Sequence, residues 1–488
     1  MAATLPPLDR LDPAEAWQAW RPSASDPWGR KWAAHLYRRA AFGPSRADLL
    51  RAERVGPEGT LDQLLRGSPE ADQLRETLDD IGRVAAGGDE LGEQLRGWWL
   101  YCMLQGGHPL REKLVLFWHN HFATSIAKVQ EPALMFRQNC LLRAHALGRF
   151  GPLLQAISRD GAMLVWLDSN SNVKGRPNEN YARELMELFS LGVGHYTEKD
   201  VRAAARAFTG WHTNGEGFRF DAGYHDGGVK TFLGQTGPWD GGDVVRIVLE
   251  QPAAARFLVR KLYQFLISEN AQPPDSLLEP LCASFRKSEY DIAALLRTVL
   301  SSRHFYSAHA FRQRIKSPVE YVLGAVQAVY RNYGEGEADY RPLRQQVLVG
   351  RLGAMGQQLF APPNVKGWPG GRSWLNTSTV LERDNFATAL ATGSLWADAP
   401  GPAAEAPAES VPPRAFDPAR LMQEEEVHRP EDVVRALLDL YVPGGVRAAA
   451  RAKLVAFVAE SGPGGAELDR RVRETVQVIL TMPEYQLA

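Results

Sequence analysis

Apolar residues recur at three- and four-residue intervals along most of this chain, and period-two runs of β-branched residues are scarce. That pattern predicts a mainly α-helical fold. HLYRRAAFGPSRADLL reads as a short helix, a Gly-Pro break and a second helix capped by Ser45. RGWWLYCMLQGGHPLREKLVLFWHNHFATS gives two strongly apolar helices parted by Gly106-Gly107-His108-Pro109, and MFRQNCLLRAHALGRFGPLLQAISRDGAMLVWLD gives two more. Helical spacing resumes over 244–268, 275–305 and 317–333, returns briefly around 381–390, and reappears over 430–488. Residues 212–243 break the rhythm, being dense in Gly and aromatics with short extended pieces, GFRFD and VKTFLG. They predict a small hairpin or an ordered loop, and irregular stretches of that length inside a compact domain are usually functional or disordered. The expected organisation is an N-terminal arm (1–30), a multi-helical globular core (31–395) carrying the insertion 212–243 and a Gly/Pro/Trp-rich loop (361–376), a Pro/Ala-rich linker (396–425) and a C-terminal helical segment (426–488).

Residues 177–211, PNENYARELMELFSLGVGHYTEKDVRAAARAFTGW, are the most distinctive stretch. Asn178 can start a helix and Gly192 can end it. At about 100° per residue, Asn180, Arg183, Glu184 and Glu187 share one arc, and Tyr181, Leu185, Leu188 and Phe189 fall opposite. Carboxylates three residues apart can hold one cation, or act as base and orienter, with Arg183 as internal counter-ion. The same pattern also describes an amphipathic helix with a solvated face and i,i+4 pairs such as Arg183–Glu187. Thr197-Glu198-Lys199-Asp200 reads as the cap of a second helix ending at Trp211.

Trp118-His119-Asn120-His121-Phe122 follows an apolar run, so burial of at least one histidine is expected. If the helix continues, His119 and His121 stand about 200° apart and cannot chelate one ion; in an extended piece they converge. Histidine is the commonest metal ligand, but a buried neutral histidine is also an ordinary hydrogen-bonded core residue. His225-Asp226 lies on a Gly-flanked loop that can ligate a metal or form a plain Asp-Gly turn. Together these nitrogen and oxygen ligands suit a divalent zinc, manganese or iron ion. In Pro362-Pro363-Asn364-Val365-Lys366-Gly367-Trp368-Pro369, a rigid loop can hold Lys366 and Trp368 over a cleft or simply plug the surface.

Composition narrows the partners. Lys plus Arg is 56 against 57 for Asp plus Glu, a balance that disfavours nucleic acid and anionic membranes as main partners. Three cysteines, Cys102, Cys140 and Cys282, make neither a disulfide framework nor a thiolate metal site. No apolar run approaches the roughly 20 residues needed to span a bilayer, and the first residues lack a basic segment followed by an apolar run. A cytoplasmic protein is therefore expected.

The blocks HLYRRAAFGPS, PLREKLVLFWHNHFATS, NENYARELMELFSLGVGHYTEKDV, AARAFTGW, HDGGVKTFLG, KSPVEYVLGA and APPNVKGWPGG resemble the signature blocks of the domain of unknown function 1800 family, and VILTMPEYQLA resembles that family's usual end. The resemblance implies membership of a bacterial family without an established activity. It further implies relatives that are often exported, and a partner protein encoded nearby. Two functions are compatible with these residues. One is a metal-assisted hydrolase-type enzyme acting on a polar polymer or carbohydrate. There Glu184, Glu187 and Asp226 act catalytically, His119, His121 and His225 hold the ion, and Asn180, Arg183, Trp211, Lys366 and Trp368 shape the substrate site. The other is a non-catalytic binding or assembly protein, taking a small-molecule or polymer ligand, whose clustered polar residues form a structural hydrogen-bond network.

Overall fold

The Pro109–His121 helix is buried on all sides: Leu110, Leu114, Val115 and Trp118 are fully enclosed, and so are its polar residues Glu112, Lys113, His119 and His121. A helix covered all round belongs to the core of a large domain. Around it pack the Arg30–Ala40, Arg46–Arg66, Glu93–Gln105 and Pro132–His145 helices. A computed structural model describes residues 5–88, 92–330, 345–396, 416–462 and 465–488. The expected linker over 396–425 lies largely outside the described residues.

Local signals placed these elements. Ser45 and Asp48 form a reciprocal capping box at the Arg46–Arg66 helix, as do Thr197 and Asp200 at the Glu198–Ala207 helix. That second helix stops at Ala207, short of the expected Trp211, which instead opens a strand. Two small antiparallel hairpins make up the irregular insertion: Trp211–Thr213 with Phe218–Phe220, and Lys230–Phe232 with Gln235–Gly237. Breaks at Gln251 and around Glu289–Tyr290 split the two long helical stretches after residue 244 into Gly241–Glu250, Pro252–Leu266, Asp275–Lys287 and Ile292–Ser301. The N-terminal arm is anchored by Trp17, whose indole donates to Leu277 O at 2.7 Å, and by Trp20 stacked on Tyr306. At the other end, the Ala466–Thr481 helix lies along Thr377–Thr392, with Gln477 donating to Thr388 at 2.7 Å. No helix among the described residues is long and apolar enough to cross a membrane.

Candidate functional site

The acidic helix runs α-helically from Asn180 to Glu184 and then widens into a π-helix over Leu185–Ser190, where Leu191 and Gly192 both donate to Met186 O at 2.9 Å. A π-turn inside a helix is rare and frequently marks a functional position. Its exit leaves carbonyls without intrahelical donors, and each such group needs a partner when buried. Two side chains from distant helices supply them. His121 Nε2 donates to Phe189 O at 3.0 Å, and Lys261 Nζ donates to Leu188 O at 3.2 Å and to His121 Nδ1 at 3.1 Å. The tautomer assigned here is the one that satisfies both imidazole contacts. Burial, then the Lys261 charge, hold the imidazole neutral by pushing its pKa well down; burial also brings Lys261 down to about 8. A cation at a helix C-terminus is also favoured by the helix dipole.

His119 leaves the same helix on another side. Its ring meets Trp99 edge-on at 5.2 Å and lies 5.6 Å from Phe360 and 5.8 Å from Trp368, with a pKa lowered by burial to about 3. The helix continues through both histidines, so they diverge as the 200° separation requires. Between them Asn120 grips the Gly/Pro/Trp loop: Oδ1 accepts from Trp368 N at 2.6 Å and Nδ2 donates to Trp368 O at 3.4 Å. This clamp lays the loop on the helix. Trp368 is largely buried, with its ring beside His119, and it lines a cleft of ≈ 340 Å³ together with Trp374.

Lys366 stays exposed and lies close enough to Glu184 to act on its charge. Burial and then the neighbouring Glu187 raise the Glu184 pKa, with Arg183 and Lys366 opposing. Glu187 accepts from the Tyr196 hydroxyl at 3.1 Å. The expected Arg183–Glu187 pair does not form. Arg183 turns instead to Glu198, with two bonds of 2.7 and 2.8 Å, and to Glu179 at 3.0 Å. Glu198 sits in the first turn of the next helix, which the capping box brings alongside. Asn180 is exposed and reaches Asp168 at 3.4 Å.

The remaining sequence candidates have other partners. His225 Nδ1 pairs with Thr209 O at 2.9 Å, and Thr209 Oγ1 accepts from Asp226 N at 2.7 Å. Arg206 binds the Asp226 carboxylate at 2.7 Å and holds its pKa down to about 2, which makes Asp226 a weak base. Trp211 is buried between Phe208 and Phe218, with Arg159 over its ring. Among the described residues, no three His, Cys, Asp or Glu side chains are grouped to hold one metal ion. The structure thus unites His121 with the acidic helix, and Lys366 with Glu184, while His225 and Asp226 serve the hairpin.

Sequence reasoning missed Asn120, Lys261 and Tyr196. It also missed a separate cleft of ≈ 870 Å³ between the Arg46–Arg66 helix and the Gly106–His108 turn, lined by Tyr37, Gln63, Ser68, His108 and Gln327 among others. Tyr37 and Gln327 are each only 6% exposed. Burial lowers the His108 pKa to about 4, and its Nδ1 caps the Pro109–His121 helix through Arg111 N at 3.3 Å. A Gly-Gly pair before His-Pro was the available signal, since it marks a turn that approaches other backbone closely.

Fold and site define a mainly α-helical protein in which an acidic π-helix, a buried HNH helix and a Gly/Pro/Trp loop are knitted by side-chain-to-backbone hydrogen bonds. The chain belongs to the family described as protein of unknown function (DUF1800), which matches residues 35–487, nearly its whole length. No curated protein and no solved structure matches it.

Proposed function

We propose that this chain is a non-catalytic binding or assembly protein, in which the polar signature residues fix the helices and a polar ligand is taken in the cleft lined by Tyr37 and Gln327. The observation that carries this reading is where those polar groups point: His121, Asn120 and His225, together with Lys261 beside His121, all bond to backbone groups of neighbouring elements. A buried network satisfied in this way specifies one arrangement of elements. A pocket of several hundred Å³ with a few convergent polar groups is the natural place for a ligand.

A metal-assisted hydrolase acting on a polar polymer or carbohydrate keeps one supporting observation, the Glu184–Glu187 pair beside Lys366, with Glu184 shifted towards its protonated form. A zinc, manganese or iron ion there would rest on two carboxylates without the histidines. Elemental analysis and melting curves separate the readings. For a binding protein, the purified chain carries no stoichiometric transition metal. Glu184→Gln then changes stability by no more than about 0.5 kcal/mol, as expected of a partly exposed group. Asn120→Ala costs about 2 kcal/mol through two lost hydrogen bonds of about 1 kcal/mol each. Stoichiometric metal that disappears in folded Glu184→Gln would overturn the proposal in favour of the enzyme.

A further inference from the structure

Six cationic side chains, Arg38, Arg39, Lys113, Arg314, Lys316 and Arg383, are more than nine-tenths buried in one region of the core. Carboxylates there are few. Glu320 is occupied by Lys113, Arg314 and Ser317 N, and the half-buried Glu269 accepts from Ile315 N at 2.6 Å. Arg38 and Lys316 form no ion pair among the described residues. Arg38 donates to Tyr441 O at 2.8 Å, and Lys316 Nζ stands 3.3 Å from the centroid of the Tyr485 ring.

Both residues line a small cavity of ≈ 20 Å³, together with Phe42, Gly43, Gly324, Tyr441 and Tyr485. Tyr485 is 3% exposed, and its hydroxyl has no hydrogen-bond partner among the described residues. The polar side chains that converge are thus a guanidinium, an ammonium and a hydroxyl, a set of donors with two positive charges. On this measure of volume a water needs about 10–15 Å³. The cavity therefore has room for one water or one monatomic ion, and not for a phosphate or a carboxylate. Two positive charges facing one cavity, neither with a carboxylate in direct contact, favour an anion there over water in a low-dielectric interior.

We propose that this cavity is a halide site, holding one chloride ion between the Arg38 guanidinium, the Lys316 ammonium and the Tyr485 hydroxyl. The ion ties the Arg30–Ala40 helix to the Lys316 segment and to Tyr485 near the chain's end. Burial pushes the pKa of both cations down and Arg312 pushes both further, while Tyr485 opposes the shift at Arg38 and Glu320 opposes it at Lys316. An ion bound only by the folded chain raises stability by mass action, with a saturable dependence on its concentration.

The test is a melting series on the full chain at constant ionic strength, with gluconate replaced stepwise by chloride or bromide. A saturating rise in Tm is expected, absent in Lys316→Met and shifted to about tenfold higher halide in Tyr485→Phe, which loses one donor to a charged partner. Crystals soaked in bromide should show an anomalous peak between Arg38 and Lys316. Should Lys316→Met fail to fold, Tyr485→Phe and the bromide peak decide. A Tm that ignores halide or rises without saturating, an unchanged midpoint in Tyr485→Phe, or no bromide at that position each overturns the site.

Discussion

Glu320→Gln is expected to destabilise the chain by ~3–5 kcal/mol, the range for breaking a buried ion pair by removing one partner. The substitution keeps shape and volume and removes only charge. Glu320 Oε1 accepts from Lys113 and from Arg314 at 3.0 Å, while Oε2 accepts from Ser317 N at 2.8 Å at the start of the Pro318–Tyr330 helix. Lys113 comes from the core Pro109–His121 helix, so this one carboxylate joins two core helices and the Arg314 segment. With the charge gone, Lys113 is left in the core without a counter-ion, and its pKa, already lowered by burial to about 8 against the pull of Glu320, falls further. Burial would raise the Glu320 pKa, but Arg314 and Lys113 outweigh it and hold it far below the usual carboxylate range. A depressed folded pKa means that the contribution is present above the unfolded value, near 4.3, and fades as pH falls from there towards the folded value. The gap in urea midpoint between wild type and Glu320→Gln should therefore be full at pH 7 and narrow steadily below about pH 4.5. An equal gap at pH 7 and pH 3, or none at pH 7, would sink this account.

What the sequence disclosed divides by range. The helical class, both capping boxes and the burial of Tyr181, Leu185 and Phe189, with Arg183, Glu184 and Glu187 half-exposed, follow from spacings of three and four residues that any helix imposes; Leu188, expected inside with them, is only half-buried. The divergence of His119 and His121 was legible for the same reason. Partner choice was not. Whether His121 would find a metal or Phe189 O depends on which carbonyls the neighbouring helix leaves free, and the π-turn that frees them is itself stabilised by His121 and Lys261, far away in the chain. Arg183 shows the same limit: Glu187 and Glu179 are equally distant along the helix, and Glu198 on the following helix tips the choice. The carboxylate pair remains the accessible part of the signature; burial and Glu187 raise the Glu184 pKa, and Lys366, on the loop that Asn120 clamps, is one of the two charges opposing that rise.

Gly367→Ala should be the most damaging single methyl in that loop. Gly367 has φ of +81°, and an added Cβ would stand 2.5 Å from Asn120 O and closer still to the Asn120 side chain. Real Cβ atoms do not approach so closely, so either the loop lifts or the end of the HNH helix shifts. Lifting breaks the hydrogen bonds between Asn120 and the Trp368 backbone and draws the Trp368 ring away from His119. Left-handed backbone strain of about 1–2 kcal/mol, two hydrogen bonds of about 1 kcal/mol each and partial exposure of a tryptophan together give a loss of ~3–5 kcal/mol. Gly370 is the internal control. Its φ is +73°, but nothing lies within 4 Å of its Cβ position, so Gly370→Ala carries the strain alone, about 1–2 kcal/mol. Urea melts of the two variants measure the clamp by difference, and tryptophan emission should shift to the red only in Gly367→Ala. Because Lys366 moves with the loop, Glu184 also loses an opposing charge, so its pKa should rise further in Gly367→Ala and stay put in Gly370→Ala. Equal melting of the two variants would mean that the loop is not held by Asn120, and the link between the HNH helix and the acidic pair would have to be abandoned.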